Sequence, residues 1–286
     1  MLQQNDYMLV DSGKGRKLER FGPYLLSRPC SQAVWQPQLS EKDWDKADAT
    51  FSREQENKWT QRRSLPSTWQ IEVAGLLFNI STTDFGHLGI FPEQQPFWEW
   101  IQTTIKSHAT ATFKPKVLNL FAYSGGATLA AAKAGAVVCH LDASKGMVTW
   151  ARENAELNRL EKAPIRWIVE DVKKFLLREH KRGSRYEGII LDPPSFGRGA
   201  KGEIFKIEEE IIDLLRDCRE LLSDHPLFIL FSCHTPGFSP LVMQHLMTQA
   251  MQGLKGVLDV GEMVLSGKKT VLDVPSGTYA RWEVNR

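Results

Sequence analysis

From residue 114 onward the chain alternates short apolar runs with amphipathic segments, and this alternation constrains the fold more tightly than any other feature. Residues 117–121, 136–141, 165–169, 188–191 and 227–231 are short, apolar and rich in Val, Ile, Leu and Phe. Runs of that kind read as strands buried on both faces of a parallel sheet. Between them, residues 126–133 are alanine-rich, with Gly135 placed to end a helix, and Ser144 can N-cap a second helix running to about residue 158. Residues 172–181, 207–222 and 240–252 read as helices, with Ile211, Leu214, Leu215 and Cys218 at helical spacing in the long one. Two further strands, over 257–265 and 278–284, close the chain. The pattern predicts an α/β protein: a Rossmann-like, seven-stranded, mostly parallel sheet with helices on both faces.

The first 95 residues are different. They are rich in Trp, Pro, Arg and Lys, with few apolar runs. Residues 69–73 alternate, Ala74-Gly75 can turn, and residues 76–80 resume as an apolar strand, which predicts a hairpin. Residues 41–64 read as irregular or partly helical. The expected organisation is a small β-rich lobe over 1–95 and a larger α/β domain over 96–286. Residues 1–90 hold 11 basic and 11 acidic side chains, so this segment is not a basic arm. Arg16, Lys17, Arg20, Arg28, Lys58, Arg62 and Arg63 do alternate with Phe21, Tyr24, Trp35 and Trp59. That set suits either phosphate contact with base stacking or a solvated face over a small aromatic core.

Bulk properties narrow the setting. Of 286 residues, 42% are hydrophobic and 24% charged, and the net charge of +2 is too small to announce a nucleic-acid binder. No apolar run is long enough to suggest a membrane span. The first residues lack the basic and apolar regions of a secretion signal. Cys30, Cys139, Cys218 and Cys233 have no CxxC spacing, so neither a zinc site nor a disulfide framework is expected, and a reducing cytoplasm fits. Oligomeric state is not legible.

Chemistry concentrates where the strands end. Ligands of open α/β sheets bind outside the carboxyl ends of the strands. The first strand leads into Ala122-Tyr123-Ser124-Gly125-Gly126, a loop whose glycines let backbone approach a ligand. Asp142 ends the second strand, 17 residues after Gly125, where an acid commonly accepts hydrogen bonds from a ribose diol. Glu170-Asp171 ends the third, where a carboxylate could bind an adenine amino group. Asp192-Pro193-Pro194-Ser195-Phe196 follows the fourth; its prolines stiffen the exit, leaving an acceptor and an aromatic face for a flat substrate. A dinucleotide needs a G-x-G-x-x-G turn for its pyrophosphate, and here Phe121 and Tyr123 would crowd one. S-adenosylmethionine, which has an adenosine but no phosphate, suits the layout better than NAD. Asp142 and Asp171 also have bland readings, as a helix cap and a helix-dipole partner.

The run from Val117 to Gly126 resembles the first motif of class I S-adenosylmethionine-dependent methyltransferases, and Asp192-Pro193-Pro194-Ser195-Phe196 resembles the fourth motif of the branch that includes the large-subunit ribosomal RNA cytosine-C5 methyltransferases. Asp11-Ser12-Gly13, the stretch from Arg16 to Tyr24, the stretch from His87 to Gln94, residues 197–202 and Ala280-Arg281-Trp282 look like the subgroup that lacks an appended RNA-binding PUA domain. The resemblance implies a methyltransferase sheet and S-adenosylmethionine as cofactor. It implies that Asn119, Tyr123 and Gly125 line the methionine end, that Ser124 also contacts the cofactor, that Asp142 binds ribose, and that Asp171 with the Val172 backbone binds adenine. It further implies that Asp192 and Pro193 face the methyl acceptor and that Phe91 and Gln94 close over the cofactor. RNA, in particular ribosomal RNA, is the implied partner.

Which atom takes the methyl depends on Cys233. A nitrogen lone pair can attack directly, with Asp192 aligning the amine. Cytosine C5 needs a thiolate to add at C6 first, and in the resembling cytosine enzymes a cysteine occupies the motif holding Cys233, beside His234. Cys233 is therefore a candidate nucleophile, and a buried structural thiol is its bland reading. Arg198 and Lys201 are placed to touch phosphate. Competing functions are methylation of a protein or small molecule, and a non-catalytic cofactor-binding ribosome-assembly factor.

Overall fold

The computed structural model describes residues 6–54, 57–198, 202, 204–268 and 270–285. Lys201 lies outside them. The chain divides into two compact units, Met1–Pro96 with Val264–Ser276, and Phe97–Met263 with Gly277–Arg286.

The first unit holds a five-stranded sheet, β1 (Tyr7–Gly13), β2 (Arg16–Phe21), β3 (Tyr24–Pro29), β4 (Ala49–Ser52) and β5 (Lys58–Gln61), in sequence order. Only β3 and β4 pair parallel. A short helix, α1 (Glu41–Trp44), precedes β4, and the hairpin β6 (Trp69–Val73) and β7 (Leu76–Ile80) follows. Ala74 and Gly75 both take positive φ, 54° and 69°, as the two-residue turn that matches strand twist requires. The Asp11-Ser12-Gly13 motif braces this unit. The Asp11 carboxylate accepts from the backbone N–H of Ser12, Gln38 and Leu39 and from Trp44 Nε1, at 2.8–3.2 Å. At Gly13, whose φ is +153°, an added Cβ would lie 2.4 Å from the Pro37 nitrogen.

The basic and aromatic residues of this unit are largely engaged with it. Arg28 is buried and forks onto buried Glu19 at 2.7 and 2.8 Å, while Tyr7 Oη and Lys17 Nζ reach the same carboxylate. Arg16 donates to Ser27 and to the Phe51 carbonyl. Arg62 donates to the carbonyls of Lys46 and Ala47, and Arg63 sits over Tyr24. Phe21 is fully buried, and the indoles of Trp35 and Trp59 donate to Ser12 and to the Thr83 carbonyl. Of the seven basic side chains, five thus spend their donors or faces inside the lobe, and the aromatic-core reading accounts for the pattern.

The second unit is built on seven strands in the order β10-β9-β8-β11-β14-β16-β15. These are β8 (Lys116–Leu120), β9 (Val137–Asp142), β10 (Ile165–Val169), β11 (Gly188–Leu191), β14 (Phe228–Cys233), β15 (Gly256–Leu265) and β16 (Val274–Val284). The first five run parallel, and β16 pairs antiparallel with β14. The helices are α2 (Gln95–His108), α3 (Gly126–Lys133), α4 (Lys145–Leu157), α5 (Val172–Lys181), α6 (Ile207–Glu220) and α7 (Pro240–Ala250). Leu118, Leu120, Ile189, Leu191, Ile229 and Phe231 alternate along the three central strands and pack with Phe175, Leu176, Leu215 and Met247 of α5, α6 and α7. The intervening Asn119 points to the opposite face, where it donates to Thr128 of α3.

Three elements depart from the sequence expectation. Helix α2 lies in the stretch where composition changes, and it buries Phe97, Trp98, Ile101 and Ile105. Residues 41–64 contain β4 and β5 as well as a helical turn. A small antiparallel pair, β12 (Phe196–Arg198) and β13 (Ile204–Lys206), follows the fourth-strand motif.

Candidate active site

The candidate site gathers at the carboxyl ends of β8, β9, β11 and β14. After β8 the backbone passes through left-handed φ at Phe121 (54°), Tyr123 (50°) and Gly125 (96°). Two non-glycine residues in that region are uncommon and persist only where surroundings hold them. The holders are visible: Ala122 N–H donates to the Leu141 carbonyl, Gly125 N–H to the Ala122 carbonyl, and Asn154 Nδ2 to the Ser124 carbonyl. Ser124 is buried, and Gly125 N-caps α3. Trp98 packs so closely on Gly126 that an added Cβ would lie 2.5 Å from its ring.

Asp142, the last residue of β9, ties the loop down. Its Oδ2 accepts from Tyr123 N–H at 2.9 Å and its Oδ1 from Ser144 N–H at 2.8 Å. Ser144 in turn caps α4. Burial pushes the Asp142 carboxyl above the ordinary range, and the two N–H bonds only partly oppose this. A carboxylate has about four acceptor positions. Two inward bonds leave it with capacity to accept from a diol, which fits an adenosine ribose.

At the end of β10 the two acids part ways. Glu170 is committed to Arg178, with 2.6 Å between Oε1 and Nη1. Asp171 N-caps α5 by accepting from Lys174 N–H, and Val172 is the first helical residue, where backbone N–H groups lack partners within the helix. Asp171 therefore caps α5 through one oxygen, at the helix N-terminus where its bland reading as a dipole partner also puts it.

Asp192 follows β11, whose Leu191 pairs with Leu120 on one side and Phe231 on the other. Pro193 is buried and Phe196 is half exposed on β12. Asp192 Oδ1 lies 3.2 Å from His234 Nδ1, and both side chains reach solvent, at 28% and 32% exposure. Just beyond them, the hydroxyls of Ser195 and Thr235 are 2.8 Å apart and tie the fourth-strand motif to the turn after β14. The sequence placed His234 only as a neighbour of Cys233; its pairing with Asp192 could have been read from the adjacency of the fourth and fifth strands.

Cys233 is part of β14 rather than past its end. It pairs with Thr278 of β16, is 1% exposed, and its Sγ accepts from Thr235 N–H. Burial pushes the thiol up, and the bond from Thr235 only partly offsets it. Phe91 and Gln94 belong to the first unit, where the Phe91 carbonyl accepts from Gln94 N–H and its ring lies 5.2 Å from His87. Among the described residues, no three His, Cys, Asp or Glu side chains converge to hold a metal ion, and no helix is long and apolar enough to cross a membrane.

Five parallel strands, an antiparallel partner beyond them and acids at successive strand ends define an α/β protein built around an adenosine-containing cofactor. The chain belongs to the S-adenosylmethionine-dependent methyltransferase family, whose model matches residues 48–250. It is similar in structure to a SAM-dependent methyltransferase from Agrobacterium tumefaciens, at 41% identity and a TM-score of 0.93, covering 99% of this chain and 91% of that one. The protein SMU.776, solved with SAH, shares the fold at 19% identity and a TM-score of 0.78, over 98% of this chain and 76% of that one. Among curated relatives, the ribosomal RNA large subunit methyltransferase K/L of Hahella chejuensis is 33% identical over 57% of this chain and 22% of its own length. The ribosomal RNA large subunit methyltransferase I of Aeromonas salmonicida is 33% identical over 43% of this chain and 31% of its own. The matched regions thus cover about a fifth to a third of those relatives.

Proposed function

We propose that this protein methylates a nitrogen of a base in ribosomal RNA. The bound cofactor supplies an electrophilic methyl on a sulfonium. In this reading Tyr123 and Gly125 hold its methionine end, Asp142 its ribose, and Asp171 with the Val172 backbone its adenine, while Asn119, buried and donating to Thr128 of α3, and buried Ser124 brace the strand end and the loop. Asp192 and Pro193 face the acceptor, and Phe196 offers an aromatic surface on which a flipped base can stack. The observation that carries the reading is the acceptor carboxylate of Asp192 at the end of β11, one strand from the Asp142 loop that β8 feeds. The names of the curated relatives point to ribosomal RNA as substrate.

The competing reading is attack by cytosine C5 after Cys233 adds to the base. Burial and the raised thiol weigh against it, because the thiolate is the nucleophile. Mass spectrometry of ribosomal RNA nucleosides from cells with and without the protein tests the proposal. One N-methylated nucleoside should disappear with the gene and return with the wild-type protein but not with Asp192→Ala, whose cofactor affinity should be nearly unchanged. Loss of a 5-methylcytidine would establish the Cys233 reading, and an unaltered nucleoside profile would rule out RNA.

A further inference from the structure

We propose that the amino-end face of the large sheet, at the end of the strands away from the candidate site, docks the phosphate backbone of a double-helical segment of the substrate RNA. The inference rests on the reading of the substrate as RNA, and it concerns a surface that the chemistry does not use.

In a parallel sheet all the segments that enter the strands lie at one end. Strands β10, β9, β8 and β11 are consecutive neighbours and run parallel, so residues 158–165, 133–137, 109–116 and 181–188, which lead into them, form one face. Hydrogen bonds stitch these segments together. Val138 N–H donates to the Pro164 carbonyl and Val137 N–H to the Pro115 carbonyl, both at 2.9 Å, and Glu187 N–H donates to the Lys116 carbonyl at 2.9 Å. Neighbouring strands lie about 4.8 Å apart, so the four entries span about 14 Å before side-chain reach is added.

The face is strongly basic. Its four segments hold eight lysines and arginines, all exposed, against two acids, Glu161 and Glu187. Glu187 is buried, and its carboxylate accepts from Lys116 N–H at 2.6 Å. Among the described residues, no hydrogen bond or ion pair engages the side chains of Lys114, Lys116, Arg159, Lys162 or Lys181. Arg182 reaches Glu179 at 3.2 Å, and Arg185 donates to the neighbouring Ser184 carbonyl. The whole chain carries a net charge of only +2, so the rest of the molecule is net acidic. The carboxyl-end segments 121–126, 142–145, 170–174, 192–210 and 234–239 hold eight acids against six lysines and arginines. Affinity for RNA comes largely from Lys and Arg on phosphate, and the end that carries the chemistry has no excess of that charge. Of the large apolar side chains exposed among the described residues, only Phe113 lies in the basic segments. Unpaired bases need several aromatic platforms, so the face suits backbone phosphates of a duplex rather than a single strand.

Arg159 adds a second observation. It occupies the position just past the C-cap of α4 with φ 59°, in the left-handed region. The equivalent positions after α3 and α5 are Gly135, at 102°, and Gly183, at 65°. Glycine takes this conformation without steric cost, and arginine does not. Strain kept where glycine would relieve it points to a use for the side chain.

Ribosomal RNA isolated from cells lacking the protein is the ligand for the test, with full-length proteins and Kd measured by filter binding over a salt series. Arg159→Gly should raise the urea midpoint by relieving the strain, yet weaken RNA binding and lower the slope of log Kd against log salt by about one. Combining it with Lys114→Gln, Lys162→Gln and Arg185→Gln should lower the slope by about three to four. The combined variant should also raise KM for RNA at unchanged kcat, with S-adenosylmethionine affinity as in wild type by calorimetry. Lys14, Arg20, Lys42 and Lys58 of the first unit, changed together to Gln, remove the same charge and should leave the slope near the wild-type value. Equal slopes for the two combined variants, or a basic-face variant within about threefold of wild-type Kd and KM, overturn the docking surface and leave the RNA reading standing. An RNA duplex of unrelated sequence should compete with ribosomal RNA for wild type. Competition by polyglutamate but not by the duplex would assign the face to an acidic protein and overturn the proposal. Wild-type protein that neither binds nor methylates the RNA overturns the substrate reading, and this inference with it.

Discussion

Asp142→Asn separates what the loop needs from what the cofactor needs. In the wild type the carboxylate accepts from Tyr123 and Ser144 N–H groups and, in the proposed assignment, from two ribose hydroxyls. Hydrogen bonds to a charged group contribute about 1.5–3 kcal/mol each, and the amide keeps one acceptor oxygen and loses the charge. Losing one such bond to the ribose weakens S-adenosylmethionine binding by about 10- to 100-fold. The stability of the free protein behaves differently. Burial raises the folded-state pKa of Asp142, so the ionised carboxylate is less favourable in the folded chain than in the unfolded one. The sign follows from linkage: the contribution of Asp142 is fully present below its unfolded pKa and is lost as pH rises through the raised folded value. Asn cannot ionise. At acidic pH it resembles the protonated acid, and toward neutrality the variant should gain stability relative to wild type. Calorimetric titration with the cofactor, together with melting temperatures across the carboxylate range and up to neutrality, checks both halves. Unchanged cofactor affinity would refute the ribose role. A variant whose melting temperature falls further behind wild type as pH rises would show that bracing the Tyr123 loop outweighs the burial penalty.

Gly125→Ala places a side chain at φ +96° with its Cβ 3.0 Å from that of Ala151. The left-handed strain alone costs about 1–2 kcal/mol, read as a lowered urea midpoint. Cys233→Ala should retain methylation within about threefold, measured by methyl incorporation into RNA, because the thiol is buried and held protonated. Glu19→Gln leaves buried Arg28 without its counter-charge and should destabilise the first unit by about 3–5 kcal/mol, seen in denaturant unfolding. Burial works to raise the Glu19 pKa, but Arg28 and Lys17 more than offset it and hold the carboxyl below its ordinary range. Its stabilisation is therefore present above the unfolded carboxyl range and lost as pH falls through the folded value, so Glu19→Gln should flatten the acid side of the stability profile.

Local pattern is enough to specify the parallel sheet. Residues 188–191 are apolar throughout because both faces of this central strand are covered, and that leaves an unbroken signal that local pattern can read. Ser144 before α4 and Ala74-Gly75 between β6 and β7 were legible for the same reason: caps and tight turns are set by one or two residues. The resemblance of the strand-end motifs named the cofactor. The features that local pattern misses involve partners distant in sequence. The five-stranded sheet of the first unit was hidden because β2 carries Arg16, Lys17, Glu19 and Arg20, and only the fold shows Glu19 buried against Arg28 of the neighbouring strand. Helix α2 was obscured by the Pro and polar residues around its start. Cys233 and His234 are adjacent in the chain but face different surroundings, since successive residues leaving a strand point to opposite sides. The thiol is buried against β16, and the imidazole pairs with Asp192, 42 residues away. That pairing exists because β11 and β14 are neighbours in register, with Leu191 opposite Phe231, and register is a property of the assembled sheet rather than of either strand.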